Sequence, residues 1–115
     1  VNDKVFHFDI NGCDNELKLI KYHHGGFYGW HTDFNAGTCS IRKLVGIIQL
    51  TDPSEYVGGD VQFGIQDKDT KEWYTMNKLK GSLTLFPAFL SHNVTPVTDG
   101  TRYVIQELFV GDHFK

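Results

Sequence analysis

The sequence predicts an all-β protein, built as a two-sheet sandwich or jelly roll. Three observations carry that prediction. Apolar residues recur with a period nearer two than 3.6, turn-forming residues separate the apolar runs at short intervals, and no stretch supports a convincing helix.

The elements follow in order. "DKVFHFDI" alternates around Phe6 and Phe8 and reads as an edge strand. "ELKLIKY" (16–22) alternates at Leu17 and Leu19, with Ile20 breaking the pattern, and a glycine- and aromatic-rich run covers 26–31. "RKLVGIIQL" (42–50) is a β-branched run that ends at Thr51-Asp52-Pro53. Then come "GGDVQFGI" (58–65), "EWYTMN" (72–77), "SLTLF" (82–86), "SHNVTP" (91–96) and "TRYVIQELF" (101–109). Between them stand Asp52-Pro53-Ser54, Gly58-Gly59, Asp67-Lys68-Asp69, Gly81 and Thr98-Asp99-Gly100, whose side chains or missing Cβ favour turns. About eight core strands result.

A chain of 115 residues suits one hydrophobic core, so residues 1–115 read as a single domain; no repeat, low-complexity segment or Pro/Gly/Ser linker divides it. The net charge of −3 gives no electrostatic reason to expect nucleic acid or an anionic membrane as partner. No apolar run approaches the roughly 20 residues of a membrane span. Cys13 and Cys39 lack metal-finger or CxxC spacing and read as free thiols of a cytoplasmic protein.

Chemistry concentrates in "YHHGGFYGWHTDF" (22–34). His31 and Asp33 form an H-x-D pair, and alternate residues of a strand project from one face, so both can turn toward one metal ion. The bare pair is weak evidence. With six histidines and ten aspartates in the chain, some H-x-D is expected in about one random sequence in two, and His7-Phe8-Asp9 is a second instance. That earlier pair reads as surface residues alternating with Phe6 and Phe8. His31 and Asp33 differ because His92 falls in a later strand: two imidazoles and one carboxylate are the donor set of a non-haem Fe(II) site with open positions. Ten residues beyond His92 stands Arg102, on the same face of its strand as Val104, Gln106 and Leu108. A guanidinium near a sandwich interior needs an anionic partner, either a bound carboxylate or Asp99 or Glu107 at a sheet edge.

The order Tyr22-x2-Gly25-x2-Tyr28-x2-His31-x-Asp33, then "IIQLTDPSEYVGGDVQF", then "GSLTLFPAFLSHNVTPVTDGTRY" resembles the Fe(II)- and 2-oxoglutarate-dependent dioxygenases of the prolyl 4-hydroxylase type, and most of all the PKHD-type hydroxylases. The resemblance runs from about residue 17 to 109. It implies a double-stranded β-helix, or jelly roll, of about eight core strands with little helix. It places the iron ligands on His31, Asp33 and His92, the 2-oxoglutarate arginine on Arg102, and a cosubstrate-pocket group on Tyr22. It further implies O2 as cosubstrate, ascorbate as reductant, and coupling of 2-oxoglutarate decarboxylation to hydroxylation of a prolyl residue in a peptide or protein. The alternatives are hydroxylation of a free amino acid or other small molecule, and a non-catalytic metal-binding jelly-roll module. Gln106, Leu108 and Ile48 depart from residues that some prolyl hydroxylases carry around the iron and cosubstrate.

The other residues of the stretch read as follows. His23 and His24 are bystanders at a surface or strand edge, Trp30 packs in the core, and Gly25, Gly26 and Gly29 permit a tight turn and close approach. Residues 34–42 and 52–58 read equally as gating loops or as plain solvent-exposed turns, with Arg42 and Tyr56 as candidate substrate contacts.

Overall fold

Eleven strands run through the described residues, which are 12–13, 17–33 and 42–111, with backbone alone at 12, 13 and 42. They are β1 (Gly12–Cys13), β2 (Lys18–Tyr22), β3 (Tyr28–His31), β4 (Arg42–Gln49), β5 (Tyr56–Gly58), β6 (Val61–Gln66), β7 (Trp73–Thr75), β8 (Leu83–Pro87), β9 (His92–Val94), β10 (Val97–Gly100) and β11 (Arg102–Val110). Among the described residues, the helical element is one 3-10 turn at Pro53–Glu55. The opening edge strand, the His7/Asp9 pair, Cys39, residues 34–41 and the side chains of Cys13 and Arg42 lie outside the described residues of this computed structural model.

Strand β11 is the spine of the larger sheet. It pairs antiparallel with β4 along one edge, and with β2 and then β1 along the other; β8 closes the far side of β4. The smaller sheet runs β3-β9-β6-β7, and β5 and β10 form a separate ribbon. The two sheets face each other across Val45, Ile47, Phe86, Val104 and Leu108 from the larger and Val61 and Val94 from the smaller, with Met76 alongside. The all-β jelly roll that the period-two pattern predicts is the architecture observed.

Alternation along β11 decides what the interior contains. Arg102, Val104 and Leu108 are buried between the sheets, while Ile105, Glu107 and Phe109 face a separate apolar depression on the outer surface. Strand β4 is buried on nearly every residue because strands flank it on both sides and the second sheet covers it.

Three elements differ from the sequence reading. Short β1 was not expected, and Tyr56–Gly58, read as loop and turn, is strand β5. Thr98-Asp99-Gly100, read as a turn, belongs to β10, which pairs with β5 from Val97↔Gly58 to Gly100↔Tyr56. Turn-forming residues serve here because the ribbon's backbone is sharply bent: Gly58 and Gly100 have φ of +81° and +72°. A Cβ at Gly58 would overlap the Pro96 carbonyl oxygen. Residues 56–58 are held by pairing with β10 and by burial of Tyr56, while the Asp52 carboxylate, accepting from Ser54 N at 2.9 Å, shapes the turn before them. The second half of the segment is thus a structural corner.

Gly58→Ala should therefore lose about 2 kcal/mol or more of stability and lower the melting temperature by roughly 10 °C. Gly29→Ala, where an added Cβ meets nothing within 4 Å, should melt within about 2 °C of the parent. Equal melting of the two variants would refute the strained corner.

Candidate metal and carboxylate site

His31 ends β3 and His92 begins β9, and the two are direct partners in the antiparallel ladder. Their rings lie side by side, with centroids 4.1 Å apart. Tyr28 pairs with Val94, so three steps along β3 match two along β9, which is a β-bulge. The extra residue puts both Tyr28 and His31 on the inner face, with ring centroids 3.8 Å apart. It also turns Trp30 outward, where it is 45% exposed and meets Trp73 at 4.8 Å. Trp30 is thus not the core residue the sequence reading expects; the bulge breaks the alternation on which that reading rests.

Each imidazole is held by its own backbone. The His31 Nδ1 lies 2.6 Å from Gly29 O and the His92 Nδ1 3.0 Å from Leu90 O. A carbonyl only accepts, so each Nδ1 carries the proton and each Nε2 presents a lone pair inward. Burial pushes the His31 pKa below the ordinary histidine value, which keeps that ring neutral at pH 7. Asp33 is tethered by its backbone N–H to Ala88 O at 3.0 Å. Its Oδ1 lies 3.8 Å from His31 Nε2 and its Oδ2 3.4 Å from His92 Nε2.

This arrangement fits a cation. Asp33 Oδ2 is buried without a hydrogen-bond partner, and one donor atom from each of the three residues lies within 4.8 Å of the others. A carboxylate and two imidazole lone pairs pointed at one spot repel one another unless a positive ion sits between them. Two nitrogens and one oxygen on a single wall suit a divalent transition metal with open positions.

That wall belongs to a cavity of about 350 Å³ between the sheets, within the range of small-molecule sites. Arg102 also lines it and is only 1% exposed. Its strand partner Tyr22 lies beneath the guanidinium, with Cζ 5.1 Å from the ring centroid, and the phenols of Tyr22 and Tyr56 both favour its charge. Burial drives the Tyr22 phenol up and the Arg102 guanidinium down from their ordinary values, so a neutral phenol contacts a cation that burial disfavours. Among the described residues no carboxylate pairs with Arg102. Asp99 is exposed on β10 and Glu107 faces the outer depression, so neither of the protein partners considered for Arg102 is in place. The stem crosses Gly59, where a Cβ would lie 3.1 Å from Arg102 Cδ. The Thr51 hydroxyl accepts from Tyr103 N at 2.8 Å and ties the end of β4 to the start of β11.

All five expected site residues, Tyr22, His31, Asp33, His92 and Arg102, line this one cavity. Gln106 and Leu108 do too, whereas Ile48 faces the outer depression and Ile47 takes the inner position. His23 and His24 are exposed, as expected of bystanders. Gly25 has φ +81°, and at Gly26 a Cβ would come within 2.9 Å of His23 O; Gly29 has open space instead. Tyr56 is 4% exposed and stands behind Arg102, not at the surface as a substrate contact. Lys18, which also lines the cavity, was missed, although its i, i+4 spacing from Tyr22 on one strand places both on the same face.

Asp33→Ala and His92→Ala should each weaken divalent-metal retention by more than about 100-fold, measured as metal per protein after gel filtration. His23→Ala and His24→Ala should retain metal like the parent. Loss in the His23 or His24 variant alone would move the site elsewhere.

The model of the 2OG-Fe(II) oxygenase superfamily matches residues 17–109. A PKHD-type hydroxylase of Aliarcobacter butzleri is 33% identical over 90 residues, covering 73% of this chain and 38% of that protein. Another, from Cupriavidus metallidurans, is 35% identical over 91 residues, covering 72% and 38%. The chain thus spans a little over a third of the length of these curated relatives. A Pseudomonas putida prolyl-4-hydroxylase structure shares the fold with a TM-score of 0.75 at 19% identity, over 96% of this chain and 59% of that one. A Trichoplax adhaerens prolyl hydroxylase, solved with a hypoxia inducible factor peptide fragment, does so at 0.69 and 18% identity, over 88% and 45%. Since the family match begins just ahead of β2 and continues into β11, taking in both the histidine–aspartate wall and the buried arginine, the chain belongs to the 2OG-Fe(II) oxygenase superfamily.

Proposed function

We propose that this chain carries the active site of an Fe(II)- and 2-oxoglutarate-dependent dioxygenase that hydroxylates a prolyl residue in a peptide or protein. One observation supports this most directly: a single cavity has an unpartnered buried carboxylate oxygen beside two imidazole Nε2 atoms, and an arginine with no carboxylate partner among the described residues.

His31 Nε2, Asp33 and His92 Nε2 would hold the iron. Bound there, Fe(II) supplies the oxidising chemistry by which O2 and 2-oxoglutarate yield succinate and CO2 while one oxygen atom enters a substrate C–H bond. Arg102 offers its planar fork to the distal carboxylate of 2-oxoglutarate in two parallel N–H···O bonds. Tyr22 orients that fork from below. Ile47, Val61, Val94 and Val104 line the space between the two polar walls and exclude water from it. His31, kept neutral by burial, binds metal without first giving up a proton.

The prolyl substrate rests on likeness. The similar curated proteins are named PKHD-type hydroxylases, and solved structures of the same fold are named prolyl hydroxylases, one of them with a peptide bound. Ascorbate belongs to the same proposal as the reductant that keeps the iron ferrous.

With Fe(II), ascorbate and 2-oxoglutarate, the protein should form succinate, and proline-containing peptides should gain about 16 Da on a prolyl residue, the mass of the inserted oxygen. Absence of succinate from folded, iron-loaded protein, with or without peptides, would defeat the proposal. Arg102→Ala should raise the KM for 2-oxoglutarate by about 100-fold, the usual consequence of truncating one member of a buried charge pair. An unchanged KM would take Arg102 out of cosubstrate binding.

A further inference from the structure

We infer that Tyr56 and Gln49 are positioning residues which tune this cavity for a dicarboxylate by fixing Arg102 with neutral groups packed against it; this rests on the 2-oxoglutarate reading above. Neither lines the cavity, so both act through Arg102.

Gln49 ends β4 and is 0% exposed. Its Nε2 donates to Thr51 O at 3.2 Å and to the Tyr56 hydroxyl at 2.7 Å. The reverse amide orientation would set Oε1 against the Thr51 carbonyl oxygen, acceptor against acceptor, so the donor end must point this way. The opposite end shows the same choice, because Gln49 Oε1 is buried without a partner. An unmatched buried acceptor is unfavourable, and it persists here because the working end of the side chain is its NH2.

The Tyr56 oxygen therefore accepts from Gln49, and its ring lies against the Arg102 stem: a Cβ at Gly59 would lie 3.5 Å from Tyr56 Cε2 and 3.1 Å from Arg102 Cδ. The ring is braced from another side. Lys78 Nζ lies 4.8 Å from its centroid and is itself fixed by Asp60 Oδ1 at 2.7 Å and Gly58 O at 3.3 Å.

The choice of a phenol has a chemical consequence. An aspartate or glutamate in the place of Tyr56 would hold the guanidinium equally well but would spend its charge inside the protein. Two phenols fix its direction and leave the charge for a ligand. The guanidinium has five donors, and two in its planar fork suffice for a bound carboxylate. Loss of the Tyr56 hydroxyl, and with it the Gln49 bond that fixes the ring, should loosen Arg102 and weaken the one ligand group that Arg102 reads. Contacts at the metal end of the ligand should be untouched.

The test is calorimetric titration of Mn(II)-loaded protein with 2-oxoglutarate and, separately, with 2-oxobutyrate, which has the same keto-acid end but no distal carboxylate. Tyr56→Phe keeps the ring and removes only the hydroxyl. It should raise the Kd for 2-oxoglutarate by about tenfold, as expected for a weakened bond to a charged group, with Kd for 2-oxobutyrate and for Mn(II) unchanged. Equal weakening of both keto acids would mark general damage and overturn the positioning role. Unchanged binding of both would overturn it as well, while leaving the proposed function intact. Parent protein that binds Mn(II) but not 2-oxoglutarate would overturn the underlying reading itself. Should Tyr56→Phe fail to fold, Gln49→Met, which removes both donors at similar length, is read by the same three outcomes.

Discussion

A guanidinium buried to 1% exposure among strands, with no carboxylate beside it among the described residues, is the constraint around which this protein is arranged. An unpaired buried charge costs several kcal/mol, so such a group persists only where its donors are met and its charge has a use. Tyr22 and Tyr56 set neutral phenols against it, Gly59 clears the path of the stem, and Thr51 ties the strand end where Arg102 begins. The opposite sign of the same problem faces it, since Asp33 Oδ2 is a buried acceptor with no donor. The cation and the carboxylate share one cavity without pairing to each other, which is what a protein looks like when both are kept for guests.

The two sheets divide the labour. The smaller sheet brings His31 opposite His92 by ladder register, and the bulge in β3 adds Tyr28 to the same face. The larger sheet supplies Arg102 and Tyr22 as direct partners across β2 and β11. Apolar residues of both sheets line the space between, so the distance from the two strand-borne histidines to the arginine wall is set by core packing. Substitutions in that core should therefore alter the shape of the cavity as well as stability.

Much of this is legible in the sequence. The inward face of β11 follows from period-two alternation, because a strand in the middle of a sandwich sheet must separate buried from outward residues by parity. His31, Asp33, His92 and Arg102 could be joined because three distant segments carried one donor set. Other features were not legible. Parity misplaced Trp30, since a bulge inserts one residue and leaves no mark in composition. Residues 97–100 have turn chemistry and yet pair as a strand, because the ribbon they build is bent at glycines. Tyr56 looked like a loop residue, and its burial behind Arg102 depends on a contact between segments nearly fifty residues apart. Gln49 was invisible for the same reason: its value lies in which end of an amide faces a phenol, and only the Thr51 carbonyl decides that.

The most direct test of the shared cavity is optical. Fe(II) bound by His31, Asp33 and His92, with the keto-acid end of 2-oxoglutarate on its open positions, should give a visible metal-to-ligand charge-transfer band under anaerobic conditions. The band should require both Fe(II) and 2-oxoglutarate, and should reach its full intensity at one equivalent of each per chain. A protein that takes up one Fe(II) and one 2-oxoglutarate per chain without developing that band would hold them in separate places, and would contradict a single site built from the two walls.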